Sequence, residues 1–185
     1  MNHAMIDLET LSTKSDAAIL SVGVAVFNDA QGVIDSAGWA LAPTSIHGHI
    51  DPATIQWWAQ SDKDGVREFS FNGKFTSLSA AFELKSLVAK HNCGCVWAKD
   101  PDFDVVILRN WWERVGKTEG VNLGEFPFGF WTTRSVRTIV DEAKRLGHDP
   151  NKASGFYAAH NPVDDAVSQA RVVIAAREML AKGAI

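Results

Sequence analysis

The distribution of apolar residues predicts an α/β fold that begins with three strands. Apolar and β-branched residues dominate 4–8, 18–27 and 33–42, and polar turns separate these runs. Runs of this length and composition are typical of β-strands. Because the connections between them are short, we expect an antiparallel meander. A fourth short strand is predicted at "CGCVWA", residues 93–98.

Helical patterns follow the third strand and surround the fourth. Asp51 and Pro52 form a typical helix start, an N-cap residue followed by proline. Further helices are predicted at about 78–91, 103–115, 134–147 and 162–182. The segments 65–77 and 127–133 are predicted to be irregular. Together these elements predict a mixed central sheet covered by helices.

Composition narrows the class of protein. The chain has 185 residues, 46% of them hydrophobic, which predicts a single domain over 1–185. No segment resembles a membrane span or a secretory signal. Cys93 and Cys95 are too close together for an ordinary disulfide and too few for a zinc site, so a reducing cytoplasm is expected. The net charge of −4 gives no overall basic field. It argues against a simple nucleic-acid-binding module, but not against an enzyme that holds phosphates through metal ions.

Two acids lie next to each other on one face of the first strand. Residues i and i+2 of a strand share a face, so Asp7 and Glu9 project together while Leu8 points to the other side. Neighbouring carboxylates repel, and one takes up a proton unless a cation lies between them. Oxygen ligands suit magnesium or manganese. The alternative is that Glu9 lies beyond the strand end and is solvated, and this motif alone favours that alternative.

A second acidic cluster precedes the helix predicted at 103–115. Asp104 shares a helix face with Ile107 and Trp111, which lie three and seven residues further on, so we expect it to point inward. Asp102 occupies the position expected for an N-cap. An inward-facing acid beside the end of a buried strand has no evident structural role. Asp104 is therefore a candidate metal ligand.

The third cluster lies at the start of the last predicted helix. Asn161 is the expected N-cap, and Asp164 completes a typical helix start. Asp165 is left without a capping role and shares a stripe with Gln169. A lone histidine such as His160 is more often a surface or capping residue. However, the H-x4-D spacing follows a D-x-E pair and an isolated inward-facing acid in the sequence. This combination indicates a functional role for His160 and Asp165.

These residues resemble a known group of enzymes. Asp7-x-Glu9, Asp104 and His160-x4-Asp165 follow the order and approximate spacing of the DEDDh exonucleases, the DnaQ-like group that includes RNase T and polymerase proofreading subunits. The resemblance is closer to the exodeoxyribonuclease VIII-like or 3′–5′ exoribonuclease proteins of phages and bacteria. The segments that carry it are "IDLETLSTKSDAAILSVGVAVF", "TIQWWAQS", "VWAKDPDFDVVIL", "RSVRTI" and "HNPVDDAVSQA".

The chain departs from that group at two places. Residues 98–101 read Ala-Lys-Asp-Pro, where such proteins tend to be glycine-rich, and Ser135 stands where they tend to have aspartate. The first departure could alter how substrate passes Asp104. Neither departure removes a catalytic group.

The resemblance implies a ribonuclease H-like fold and a metal-dependent 3′–5′ exonuclease. Such an enzyme releases nucleoside 5′-monophosphates from the 3′ ends of single-stranded RNA or DNA. The cofactors implied are two divalent cations, Mg²⁺ or Mn²⁺. Their implied ligands are Asp7, Glu9, Asp104 and Asp165. Asp7 is expected to bridge the ions, and His160 to take the proton from the attacking water.

Substrate contacts are implied at the first strand and expected at basic residues. By resemblance, Leu8 and Thr10 touch the terminal nucleotide. Arg134 and Arg137, one turn apart in the predicted helix, are candidates for a phosphate patch. A solvated helix face is the alternative, and it is preferred for Arg134.

Two tryptophan pairs are candidates for stacking on bases. Adjacent helical positions point about 100° apart, so one member of each pair is expected in the core. We assign Trp111 to the core because it shares the face of Asp104. Trp57 and Trp58 are equally eligible to stack, and Trp58 is taken as the candidate substrate contact.

Other functions are compatible with the same residues. The chain could be a proofreading or repair subunit bound to another protein, or a non-catalytic nucleic-acid-binding module. A structural calcium site would leave His160 unexplained. No membrane partner is expected, a homodimer is possible, and a phage-encoded protein would act in the host cytoplasm. The sequence does not distinguish RNA from DNA as the substrate.

Overall fold

The computed structural model describes residues 1–60, 70–153 and 161–182. His160 and the first part of the irregular segment predicted at 65–77 therefore lie outside the described residues. The strands are β1 (Asn2–Thr10), β2 (Ile19–Asn28), β3 (Gly32–Ala40), β4 (Cys93–Ala98) and β5 (Thr133–Ser135). The helices are α1 (Pro52–Gln60), α2 (Ser77–Lys90), α3 (Asp104–Glu119), α4 (Val136–Arg145) and α5 (Pro162–Lys182). Short 3₁₀ helices cover Pro43–Ser45, Phe130–Thr132 and Pro150–Ala153.

The five strands form one mixed sheet in the order β3-β2-β1-β4-β5. The β1–β2 and β2–β3 pairs are antiparallel, and the β1–β4 and β4–β5 pairs are parallel. In this register Asp7 lies opposite Gly23 of β2, and Met5 lies opposite Trp97 of β4. The predicted antiparallel start and mixed sheet are confirmed. The central strand β1 carries the first two candidate acids.

Helices cover both faces of the sheet. Ile6 and Leu8 pack into a core that includes residues of α2 and α3. Met5 packs on the opposite face, in a core that includes residues of α4 and α5. Because side chains alternate along a strand, Asp7 and Glu9 lie on the same face as Met5, toward α5. The alternation of buried side chains along β1 therefore determines which face of the sheet carries the two acids.

The fifth strand was not predicted. The sequence pattern predicts a helix from 134, but Thr133–Ser135 pairs with Val96–Ala98 and α4 begins only at Val136. Ser135 is the N-cap, and its hydroxyl accepts a hydrogen bond from the Thr138 amide. The prediction was wrong because a long-range pairing overrides the helical pattern of these residues.

The start of α3 also differs from the prediction. Phe103 is the N-cap, and it makes no side-chain capping bond. The chain enters the helix through a turn in which the Asp100 carbonyl accepts hydrogen bonds from the amides of Phe103 and Asp104 at 2.9 and 3.0 Å. The assignment of Asp102 as N-cap is therefore wrong. Asp104, as predicted, faces inward and is buried.

The two predicted helix caps are confirmed. The Asp51 carboxylate accepts a hydrogen bond from the Ala53 amide at 2.9 Å, and the Asn161 side chain accepts one from the Val163 amide at 3.0 Å. Cys93 and Cys95 are free thiols. Within the described part of the chain, no helix is both long and apolar enough to span a membrane.

Candidate active site

Three carboxylates from two distant elements meet at the end of β1. Asp7 and Glu9 of β1 and Asp165 of α5 each place an oxygen within 4.8 Å of the others. Asp104 of α3 lines the same cavity, which measures about 350 Å³. The structure thus brings together all four acids that the sequence suggested. Their role as metal ligands stays a prediction.

A glycine allows α5 to come this close to the sheet. Gly23 lies opposite Asp7 in the β1–β2 register. A Cβ atom at Gly23 would lie 2.1 Å from the carbonyl carbon of Pro162, far inside van der Waals contact. The first turn of α5 can therefore rest directly on β2. This contact sets the distance between Asp165 and the acids of β1.

Asp104 is held beside the backbone of β1. Its side chain is only 5% exposed, and its Oδ1 atom accepts a hydrogen bond from the Leu8 amide at 3.3 Å. Burial raises the pKa of Asp104 to about 7, although the bond from Leu8 lowers it in part. Without a compensating charge, the Asp104 carboxyl group would therefore titrate near neutral pH.

The pKa of Asp7 is shifted by burial and by the other three acids. Burial raises its pKa well above the usual range, and the charges of Asp104, Asp165 and Glu9 raise it further. The Gln169 side chain opposes this effect because its Nε2 atom donates a hydrogen bond to Asp7 Oδ1 at 2.7 Å. A cation between these carboxylates would relieve their repulsion.

Gln169 is a site residue that the sequence analysis did not select, although helical spacing places it on the same face as Asp165. It lies one helical turn after Asp165 and lines the carboxylate cavity. While its amide nitrogen binds Asp7, its Oε1 atom is buried and has no hydrogen-bond partner among the described residues. A hydrated cation would supply the missing donor.

The chemistry of this donor set fits a divalent metal. Its charged groups are oxygen ligands, which suit hard ions such as Mg²⁺ and Mn²⁺. Burial raises the pKa values of Asp7 and Asp104, neighbouring carboxylates raise that of Asp7 further, and a bound cation would offset both effects. The buried Gln169 oxygen is an acceptor without a donor among the described residues. The residues present therefore fit a divalent cation site.

A second cavity of about 470 Å³ adjoins the first one. The two share Leu8, Glu9 and Phe103. The second cavity is also lined by Thr10, Trp57 and Trp58, so the substrate residues suggested on β1 and α1 do lie beside the acids.

The two α1 tryptophans are not equivalent. Trp58 is 2% exposed, and its Nε1 atom donates a hydrogen bond to the Thr10 carbonyl at 3.0 Å. Trp57 is 45% exposed. The choice of Trp58 as the stacking residue is therefore corrected, because its ring belongs to the core. In the other pair both Trp111 and Trp112 are buried, so neither offers an open face.

One basic residue, Lys99, lines the carboxylate cavity, as does Asp100. Arg137 Nη2 donates a hydrogen bond to Asp100 Oδ2 at 2.8 Å. Arg134 lies on β5, so the expectation that it sits one helical turn from Arg137 is wrong. A phosphate contact from Arg137 stays a prediction.

The fold and the acidic cluster define a class of protein. Two crystal structures of E. coli exonuclease I, in complex with dT13 and dA16 oligonucleotides, share the fold with TM-scores of 0.60 and 0.62 at 14% and 15% identity. They cover 98% and 93% of this chain, which spans only 41% and 40% of the exonuclease I chains. The likeness confirms the ribonuclease H-like fold.

The sequence comparisons assign the family. The profile of the 3′-5′ exoribonuclease Rv2179c-like domain matches residues 2–176, and the chain belongs to this family. The exodeoxyribonuclease of Enterobacteria phage T4 is 22% identical over an alignment 188 residues long, which covers 87% of this chain and 82% of the phage protein. The chain is thus a 3′–5′ exonuclease domain, a hydrolase of nucleic acid, and this part of the sequence-based prediction is confirmed.

Proposed function

We propose that this chain hydrolyses phosphodiester bonds one at a time from the 3′ ends of single-stranded RNA or DNA. The products are nucleoside 5′-monophosphates. The observation that supports this most strongly is the convergence of Asp7, Glu9 and Asp165 within 4.8 Å, with the buried Asp104 beside them. The two exonuclease I structures contain single-stranded oligonucleotides, which favours a single-stranded substrate.

The cofactors proposed are two divalent ions, Mg²⁺ or Mn²⁺, held by Asp7, Glu9, Asp104 and Asp165. When bound, such ions activate water, compensate charge on the phosphate and stabilise the leaving oxygen. Asp7 would be the ligand that both ions share, because the charges of Asp104, Asp165 and Glu9 all act on it. Gln169 holds one oxygen of Asp7 and so orients the other.

His160 is the proposed general base. It directly precedes Asn161, the residue that caps α5, and Asp165 follows in the next turn of that helix. An imidazole with a pKa near 6.5 suits removal of a proton from water near neutral pH. Assistance of this kind contributes about 10²–10⁴-fold to the rate. Its loss should therefore slow turnover without preventing metal binding.

The terminal nucleotide is proposed to lie in the cavity beside the acids. Leu8 and Thr10 line this cavity, and Trp57 is its exposed aromatic residue. Stacking of a base on Trp57 would contribute about 1–3 kcal/mol. Arg137 is the proposed phosphate contact, because it is paired with Asp100, which lines the carboxylate cavity.

A degradation assay on matched 5′-labelled RNA and DNA oligonucleotides tests this proposal. The reactions contain Mg²⁺ or Mn²⁺, with EDTA as one control and Asp7→Ala as the inactive variant. Asp141→Ala is the matched control, because Asp141 is an exposed acid of α4. We expect a ladder that shortens from the 3′ end and is abolished by EDTA and by Asp7→Ala. Intact RNA and DNA in every lane, with folded protein, would contradict the proposed function.

A further inference from the structure

An ion pair joins the segments that follow β4 and β5. Ala98 and Ser135 are partners in the parallel register of these two strands. Asp100 and Arg137 each lie two residues further along the chain, and they meet side by side. Arg137 Nε donates a hydrogen bond to Asp100 Oδ1, and Arg137 Nη2 donates one to Asp100 Oδ2 at 2.8 Å. Two parallel bonds of this kind are the strong form of an arginine–carboxylate contact.

Asp100 lies at the carboxylate cavity but differs from the four acids described above. Its residue lines the cavity, yet both of its carboxylate oxygens accept hydrogen bonds from Arg137. These bonds hold the pKa of Asp100 below its ordinary value. Its oxygens are also not part of the group that meets within 4.8 Å. These contacts favour a role for Asp100 other than binding a cation.

The backbone of Asp100 contacts Asp104 in two ways. The Asp100 carbonyl accepts hydrogen bonds from the amides of Phe103 and Asp104 at 2.9 and 3.0 Å, which form the turn that begins α3. Burial raises the pKa of the Asp104 carboxyl group, and hydrogen bonds from the amides of Leu8 and Asp100 lower it in part. The position of the Asp104 carboxylate therefore depends on where the Asp100 backbone lies.

The turn that begins α3 lacks the usual side-chain anchor. Phe103 is the N-cap of this helix, and it makes no side-chain capping bond. Such a bond normally stabilises the first turn of a helix. Arg137 belongs to α4, whose own start is capped by Ser135. The ion pair therefore ties the uncapped start of α3 to the capped start of α4.

Stability alone gives little reason for this ion pair. The side chains of Arg137 and Asp100 are 60% and 46% exposed, and exposed ion pairs contribute little to the free energy of unfolding. Arg137 also lies in the first turn of α4, where the helix dipole disfavours a positive charge. A contact that fixes the turn before Asp104 accounts for the pair better than stability does.

We propose that Asp100 and Arg137 are positioning residues that hold Asp104 in the orientation for binding a divalent cation. Arg137 fixes the Asp100 side chain, and the Asp100 backbone fixes the first turn of α3 and the Asp104 carboxylate. Arg137 Nη1 takes no part in this pair, which is compatible with the phosphate contact proposed above. This inference rests on the proposed function, because it assumes that Asp104 binds a cation.

Metal binding by Asp100→Ala, Arg137→Ala and the double variant tests the pair. Arg145→Ala is the matched control, because Arg145 is an exposed arginine of the same helix that pairs with Glu142 at 3.0 Å. The measurement is the Kd of Mn²⁺ without nucleic acid, by isothermal titration calorimetry. Each single variant should bind Mn²⁺ about tenfold more weakly, the effect of losing a residue that orients a ligand. The double variant should be no weaker than the single ones, because both substitutions break one contact, and Arg145→Ala should match wild type.

Steady-state kinetics on a single-stranded oligonucleotide separate positioning from phosphate binding. Asp100→Ala keeps the Arg137 guanidinium. At a Mn²⁺ concentration below the wild-type Kd, this variant should therefore lower kcat about tenfold and leave KM unchanged. If Arg137 acted on phosphate alone, Arg137→Ala would raise KM, and Asp100→Ala would change neither kcat nor Mn²⁺ affinity. That pattern would overturn the positioning role.

Failure of this inference can be told apart from failure of the proposed function. Normal cleavage by wild type, with the same Mn²⁺ affinity in Asp100→Ala, would remove the positioning role alone. Additive losses in the double variant would show that the two residues act separately, and would also overturn the inference. A wild-type protein that binds Mn²⁺ but cleaves neither RNA nor DNA would contradict the proposed function, and the calorimetry would still test the pair. Absence of Mn²⁺ binding by wild type would overturn both.

Discussion

Replacement of Asp104 by asparagine should stabilise the metal-free protein at alkaline pH while it removes a proposed metal ligand. The side chain is 5% exposed, and its Oδ1 atom accepts a hydrogen bond from the Leu8 amide at 3.3 Å. Asparagine has almost the same shape and keeps an oxygen that can accept this bond. The substitution therefore removes mainly the buried negative charge.

The magnitude follows from the pKa of Asp104. Burial raises the pKa from its ordinary value of 3.8 to about 7 in the folded protein. Each pKa unit corresponds to 1.36 kcal/mol, so the ionised side chain opposes folding by at most about 4 kcal/mol. Relaxation and water penetration reduce this figure, and we expect about 2–4 kcal/mol.

The sign of the pH dependence is fixed by the direction of the pKa change. A carboxyl group with a raised folded pKa contributes its full stability below the unfolded value of 3.8 and loses it as the pH rises through about 7. Asparagine does not titrate. The stability difference between Asp104→Asn and wild type should therefore widen by up to about 3 kcal/mol between pH 5 and pH 8.

Thermal unfolding followed by circular dichroism measures this difference. Both proteins are unfolded in EDTA at pH 5 and pH 8, with Asp141→Asn as the exposed-acid control. For a chain of this size, we expect the variant to melt about 4–16 °C above wild type at pH 8. Added Mg²⁺ should raise the wild-type Tm more than that of the variant, because binding stabilises the folded state. Equal melting temperatures of Asp104→Asn and wild type at pH 8 would contradict this prediction. So would a difference in melting temperature that is the same at pH 5 and pH 8.

Three further predictions concern the surroundings of the acids. Gln169→Leu should raise the Mn²⁺ concentration needed for half-maximal activity about 10–100-fold, and an unchanged Mn²⁺ titration would show that Gln169 does not orient its acidic neighbour. Trp58→Ala should lower the free energy of unfolding, measured in urea, by about 3–5 kcal/mol because its ring is buried. Trp57→Ala should mainly raise KM in the degradation assay, and the reverse pattern would assign the stacking role to Trp58. Gly23→Ala should displace α5 and slow turnover, since the new methyl group would overlap Pro162; a fully active and equally stable variant would contradict this.

Local periodicity was enough to find the acidic residues. The two-residue repeat of a strand places Asp7 and Glu9 on one face, and the helix repeat turns Asp104 inward. Capping rules assigned Asn161 and left Asp165 for another role. Each of these inferences depends on a few neighbouring residues, which is why the sequence sufficed.

Features formed by distant residues could not be predicted. The strand Thr133–Ser135 exists because it pairs with β4, and its own sequence carries no strand pattern. The Arg137–Asp100 ion pair joins residues 37 positions apart. Likewise, helical spacing shows that Trp57 and Trp58 point in different directions, but only the docking of α1 on β1 decides which ring is buried.

The close contact between Gly23 and Pro162 links assembly of the acidic cluster to the order of folding. Asp7 and Asp165 are separated by 158 positions in the sequence, and they meet only when α5 rests on β2. The pairing of β1 with β2 needs only neighbouring segments, so the first two acids can be in place much earlier. A chain that has folded its sheet but not yet docked α5 therefore carries the acids without the cluster they form. Docking of that helix is the folding step that completes the cluster.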